Sequence, residues 1–145
     1  MGRILIVDDN EPIRHLMRFY LEMSGHIVCG EAKDGVEGIE AAKQTQPDLI
    51  LLDMTMPEMT GVEVAAVLKG IMPQTPIILF TLHEANINKD LAATMGVDMV
   101  VGKAEGIPKL GQSVKALLAR SNAVSSEGPV PAPGSPSTLD NKPKN

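Results

Sequence analysis

Asp8 and Asp9 follow the apolar run "RILIV", Asp53 follows "LILL", Thr81 follows "IILF" and Lys103 follows "MVVG". Three carboxylates, one hydroxyl and one ammonium gathered in one place could carry phosphoryl transfer. Crowded carboxylates repel, and each raises its neighbours' pKa unless a cation neutralises them, which points to a divalent metal. All-oxygen donors with room for water suit Mg²⁺, whereas the three histidines and the single cysteine show no zinc-ligand spacing. With the metal in place, Asp53 can act as a nucleophile toward phosphorus and form an aspartyl phosphate. Lys103 and the Thr81 hydroxyl can then hold the transferred oxygens, because positioning and electrostatic stabilisation are the protein's main contribution to such chemistry. Taken singly, each residue has a plainer reading, Asp53 as a turn or helix cap and Lys103 as a solvated loop lysine. Their joint placement is what argues for a site.

For these residues to meet, the runs they follow must be strands that end at one edge. "RILIV" (3–7), "IVCGEA" (27–32), "DLILL" (48–52), "PIILFT" (76–81) and "DMVVG" (98–102) are short, β-branched or leucine-rich, and apolar without alternation. That pattern marks strands covered on both faces. Helical spacing fills the gaps: Ile13, Leu16, Met17, Tyr20 and Leu21; Val36 and Ile39; Val64, Leu68 and Ile71; Ile87, Leu91 and Met95; and Ile107, Leu110, Val114, Leu117 and Leu118. Helix stops are expected at Gly25, Pro47, Pro73 and Gly96, and Pro12 suits a first helical turn. Strands alternating with helices imply parallel pairing through right-handed crossovers, hence a three-layer α/β sandwich. Ligands of such a sheet sit beyond the carboxyl ends of the strands, where strand order reverses. Asp8, Asp9, Asp53, Thr81 and Lys103 all fall there.

The 145 residues and a 43% apolar composition fit one globular domain over 1–121. A Pro-, Ser- and Gly-rich tail over 122–145 is expected to be disordered. A formal net charge of −5 argues against direct nucleic-acid binding or a grip on anionic lipid. One unpaired cysteine, Cys29, needs no oxidising compartment, and the first apolar run is too short for a signal or a membrane span. A cytoplasmic location is expected.

The segments "IVDDNEPIR", "LILLDMTMPEMTGVE", "IILFT" and "VGKAEG" resemble the receiver domain of bacterial two-component response regulators, over about residues 3 to 120. The resemblance implies a flavodoxin-like (βα)5 sandwich with a five-stranded parallel sheet of order 2-1-3-4-5. It implies that Asp53 is the phosphoacceptor, that Asp8 and Asp9 are the acidic pair, and that the Thr55 carbonyl is the remaining protein ligand to Mg²⁺. Thr81 matches the switch hydroxyl and Lys103 the family's lysine. The phosphoryl group is expected from a sensor histidine kinase, a phosphotransfer protein or a small phosphodonor. A stand-alone receiver of this kind, itself no enzyme in the ordinary sense, switches protein contacts with a downstream protein target, and a homodimer through the fourth-helix to fifth-helix face is left open.

Two positions depart from the family pattern. Val100 stands where many members carry the Tyr or Phe whose inward swing reports phosphorylation, and Ala104 stands where many carry a proline after a cis bond. A cis Lys103–Ala104 bond would cost ~2.5–4 kcal/mol, so a trans bond and an altered loop are expected. Thr55 and His83 occupy positions that tune phosphate lifetime in the family. Other functions compete. A degenerate receiver that binds partners without phosphate is kept open by Val100 and Ala104. A phosphatase of the haloacid-dehalogenase type needs a second Asp where this chain has Thr55. A nucleotide binder should offer glycines or hydroxyls where "DDNEP" offers negative charge.

Overall fold

An apolar run without alternation has no face to leave in water, and the computed structural model, which describes residues 2–82 and 87–127, buries both faces of the apolar runs 4–7, 49–52 and 77–81, while Ile27 on the run 27–32 is 48% exposed. The strands are β1 (Arg3–Val7), β2 (Ile27–Ala32), β3 (Leu49–Leu52), β4 (Ile77–Thr81) and β5 (Met99–Gly102). They pair in parallel in the order β2-β1-β3-β4-β5, the expected topology. Side chains alternate across this sheet and divide the core in two. Ile4, Ile6, Leu49, Leu51, Ile78 and Phe80 face one side. Leu5, Val7, Ile50, Leu52, Ile77 and Leu79 face the other.

Helices cover both faces. On the first lie α1 (Glu11–Met23), through Met17 and Leu21, and α5 (Ile107–Glu127), through Leu110, Val114 and Leu117. On the second lie α2 (Gly35–Thr45), α3 (Gly61–Ile71) and α4 (Lys89–Thr94), through Ala42, Val64, Leu68 and Ala92. Helices α1 to α4, which begin at the carboxyl edge of the sheet, are each started by a side-chain cap. Asn10 Oδ1 accepts from Ile13 N at 3.0 Å, and Asn88 Oδ1 does the same for Leu91 N. Thr60 and Glu63 exchange bonds as a capping box. The expected stops recur, with Gly25 and Gly96 at positive φ after α1 and α4.

Some helical faces differ from the expected ones. Leu16, Val36 and Leu91, read from spacing as core positions, are 51%, 60% and 54% exposed. Ile87 precedes α4 rather than lying on it. In α2 the contact is made instead by small residues. A Cβ on Gly38 would stand 2.9 Å from Val7 Cγ1, so the helix lies closer to β1 than a bulky residue would allow. Spacing rules weigh large apolar residues and miss such a seam.

Helix α5 continues past the expected boundary at 121 to Glu127, and the rest of the expected tail lies outside the described residues. No helix among the described residues is long and apolar enough to cross a membrane.

Candidate phosphoacceptor and metal site

The parallel ladders run one residue beyond the strands and so place the carboxylates. Asp8 N donates to Ala32 O at 3.0 Å, and Asp53 N donates to Val7 O at 2.8 Å. Those two bonds set Asp8 and Asp53 side by side at the edge of adjacent strands. Both are buried, at 1% and 7% exposure, whereas Asp9 is exposed. One carboxylate oxygen from each of Asp8, Asp9 and Asp53 lies within 4.8 Å of the others.

Lys103 leaves the end of β5 and reaches across the sheet edge. Its Nζ donates to Asp8 Oδ2 at 2.8 Å and to Asp53 Oδ1 at 3.4 Å. It also stands 5.8 Å from the centroid of the Phe80 ring, within cation–π range. Thr81, buried at the end of β4, pairs with Gly102, the residue before Lys103. Thr55 lies in the turn between β3 and α3 with an exposed side chain, and His83 is outside the described residues. Met54, Met56 and Met59 pack on the core around this turn.

The β3–α3 turn is held close to the acceptor. Gly61 N donates to Met54 O at 2.8 Å, and a Cβ on Gly61 would lie 2.5 Å from the Asp53 carbonyl oxygen. No side chain fits there. On the other side of the site, the Asn10 amide donates to Asp8 Oδ1 at 2.8 Å and Arg14 Nη1 donates to the Asp8 carbonyl at 2.7 Å.

Burial pushes the Asp53 carboxyl up to about 6, and the Asp8 charge pushes in the same direction, while Lys103 opposes both. Near neutral pH Asp53 is therefore mostly ionised yet held at a cost. Three carboxylates and one ammonium leave a formal charge of −2 in the crevice. An all-oxygen cluster with that excess fits one hard divalent cation, with Mg²⁺ favoured by the chemistry of the donors.

Comparison with known proteins decides the family. The response regulator receiver domain matches residues 4–115. The chain belongs to the receiver domain family. This receiver is 37% identical over 119 residues to the alkaline phosphatase synthesis transcriptional regulatory protein PhoP of Bacillus subtilis, covering 82% of this chain and 49% of PhoP. It is 37% identical over 126 residues to the transcriptional regulatory protein SrrA of Staphylococcus aureus, covering 87% of this chain and 52% of SrrA. The chain thus spans about half the length of these curated relatives. Among solved structures, the response regulator TrrA of Thermotoga maritima, in complex with Mg²⁺ and BeF, superposes with a TM-score of 0.73 at 32% identity, over 81% of this chain and 99% of TrrA. A CheY-like receiver from Methanospirillum hungatei gives 0.79 at 25% identity, over 85% of this chain and 98% of that one. The family is one of signalling domains in two-component systems, and the Asp8, Asp9 and Asp53 cluster is consistent with phosphorylation and metal binding.

Both departures from the receiver pattern have a structural setting. The Lys103–Ala104 bond is trans, as expected without proline. Lys103–Glu105 form a 3-10 turn that closes on Gly106 at φ +90. Val100 is half-buried on β5. Two neighbours of the site were not foreseen from sequence. Phe80 lies beneath Lys103, although an aromatic directly before Thr81 was visible. Arg14 braces Asp8 through a contact that no spacing rule signals.

Proposed function

We propose that this receiver is a phosphorylation-controlled switch in which Asp53 accepts a phosphoryl group from a sensor histidine kinase or a phosphotransfer protein. The observation that carries the reading is one ammonium, Lys103, spanning Asp8 and Asp53 inside a cluster of three carboxylates. Asp8, Asp9, Asp53 and the Thr55 carbonyl are the residues that would hold Mg²⁺. Bound there, the ion supplies positive charge that lets an anionic donor approach an anionic pocket. Asp53, ionised above about pH 6, attacks phosphorus. The donor's N–P bond breaks, its electron pair returns to the imidazole nitrogen, and a new O–P bond forms on Asp53. Lys103 and the Thr81 hydroxyl then hold the phosphoryl oxygens.

The receiver switches protein contacts in the cytoplasm rather than gripping nucleic acid itself; its formal charge of −5 supports the second point. With Val100 in place of an aromatic, movement of Thr81 toward the phosphoryl group is a route by which the site biases the surface of α4, β5 and α5. The full acid set argues for phosphate-dependent rather than phosphate-independent binding.

Intact-mass spectrometry after incubation with phosphoramidate and Mg²⁺ tests the reading. One added phosphoryl group is expected, lost with EDTA and lost in Asp53→Asn. A chain that gains nothing from several donors in Mg²⁺ contradicts it. Pull-downs with phosphorylated and unmodified protein identify the output partner, and a DNA mobility shift by the phosphorylated chain would overturn the protein-contact readout.

A further inference from the structure

Two adjacent carboxylates at the end of β1 must be held in one direction against their mutual repulsion. Arg14 supplies a brace. Its Nη1 donates to the Asp8 main-chain oxygen at 2.7 Å, and its Nε donates to Glu31 Oε1 at 3.1 Å. Glu31 lies on β2, beside Ile6 in the ladder, so the guanidinium ties α1 to the neighbouring strand directly beneath the acidic pair. Both side chains are largely enclosed, at 14% and 18% exposure. The other Glu31 oxygen is clasped by Arg18 Nη1. Burial pushes the Glu31 carboxyl up, but the bonds from Arg18 and Arg14 outweigh it and hold the group below its usual range. Glu31 therefore stays ionised and keeps its grip on Arg14.

We propose that Arg14, anchored by Glu31, is a positioning residue that aims the Asp8 and Asp9 carboxylates at the divalent cation. The inference rests on the Mg²⁺ reading given above. Its sign separates it from simple electrostatics. A fixed cation near the pocket repels Mg²⁺, so a residue acting through charge alone would, on removal, tighten binding. A residue acting by positioning weakens binding when removed. Partners that orient metal ligands typically account for ~10–100-fold in affinity. Lysine keeps the charge but lacks the planar fork that reaches Glu31 and the Asp8 carbonyl together.

The test is a titration of the full chain with Mg²⁺ alone, followed by amide chemical shifts and by calorimetry, with no phosphodonor present. Arg14→Ala is expected to weaken Mg²⁺ binding about 10-fold. Arg14→Lys should fall between it and the wild type, and Glu31→Gln, which takes the charge from the brace's anchor and keeps an acceptor oxygen, should weaken binding less than Arg14→Ala. Thermal melts accompany each variant, since a merely structural arginine would lower the melting temperature and leave Mg²⁺ affinity alone. Unchanged or tighter Mg²⁺ binding by Arg14→Ala overturns the proposal. If that variant does not fold, Arg14→Lys decides: it keeps the charge and loses the fork, so unchanged or tighter Mg²⁺ binding by it overturns the proposal. A wild-type chain that binds no Mg²⁺ overturns the metal reading itself, and the positioning role with it.

Discussion

Lys103 Nζ lies 2.8 Å from Asp8 Oδ2 and 3.4 Å from Asp53 Oδ1, so a residue at the end of the outermost strand closes a site built by the two central ones. Residues 95 and 50 positions apart meet because every parallel strand ends at the same edge. The shorter bond goes to the more deeply buried acid.

Lys103→Met should therefore act on both folding and chemistry. It leaves two buried carboxylates without their cation, a loss of about 1–3 kcal/mol in Mg²⁺-free protein near neutral pH. Chemical denaturation should show that loss, and phosphorylation by phosphoramidate should slow by at least ~10-fold. A variant as stable and as reactive as the wild type would remove Lys103 from the site.

Asp53→Asn separates stability from function. The folded carboxyl is pushed up to about 6 from the ordinary 3.8, so between those values the folded state holds more protons than the unfolded chain. Its contribution to stability is present at low pH and is lost as pH rises through about 4 to about 6. Asparagine does not titrate, so the stability difference between variant and wild type should grow across that window in favour of the variant. The limit is on the order of 3 kcal/mol, and Mg²⁺ should shrink it. Denaturant melts of both proteins at a series of pH values measure it, and a difference that stays flat contradicts a raised Asp53 pKa.

Mg²⁺ binding should itself stabilise the fold. An ion that binds only the folded state adds about 2.7 kcal/mol at a concentration 100 times its Kd. EDTA should return the melting temperature to its starting value. Asp9 is the cleanest of the three candidate ligands to remove, because its exposed side chain contributes little burial. Asp9→Ala should melt near the wild type without metal and gain less on adding Mg²⁺. Equal gains in the two proteins would take Asp9 out of the ligand set.

Gly61→Ala tests the packing under the acceptor. Its Cβ would stand 2.5 Å from the Asp53 carbonyl oxygen and 2.6 Å from Leu79 Cδ1. Overpacking of this kind costs roughly 1–3 kcal/mol, and here it also displaces the turn that carries Asp53 and Thr55. Slower phosphorylation together with a lower melting temperature is expected. Retained rate and stability would show that the turn yields without disturbing Asp53.

Much of this was legible in the sequence because the site is a consequence of topology. Unalternating runs such as "LILL" announced covered strands, and the polar residue after each run was bound to fall on the common edge. The trans bond after Lys103 followed from the cost of a cis bond without proline. Helical faces were read less well. Leu16 and Leu91 fitted a core spacing and are exposed, whereas Gly38 and Ala92, too small to stand out, make the contacts. The support beneath Asp8 was invisible for a different reason. Arg14 and Glu31 sit on neighbouring elements, and their meeting depends on strand register rather than on spacing along the chain.

The central claim is that phosphorus is transferred to Asp53, and the most direct measurement locates the modified residue. After treatment with phosphoramidate and Mg²⁺, borohydride reduces an aspartyl phosphate to homoserine, which peptide mass mapping can place. The account requires homoserine at position 53 alone, absent when Mg²⁺ is chelated. Homoserine at position 8 or 9, or at no position, would contradict it.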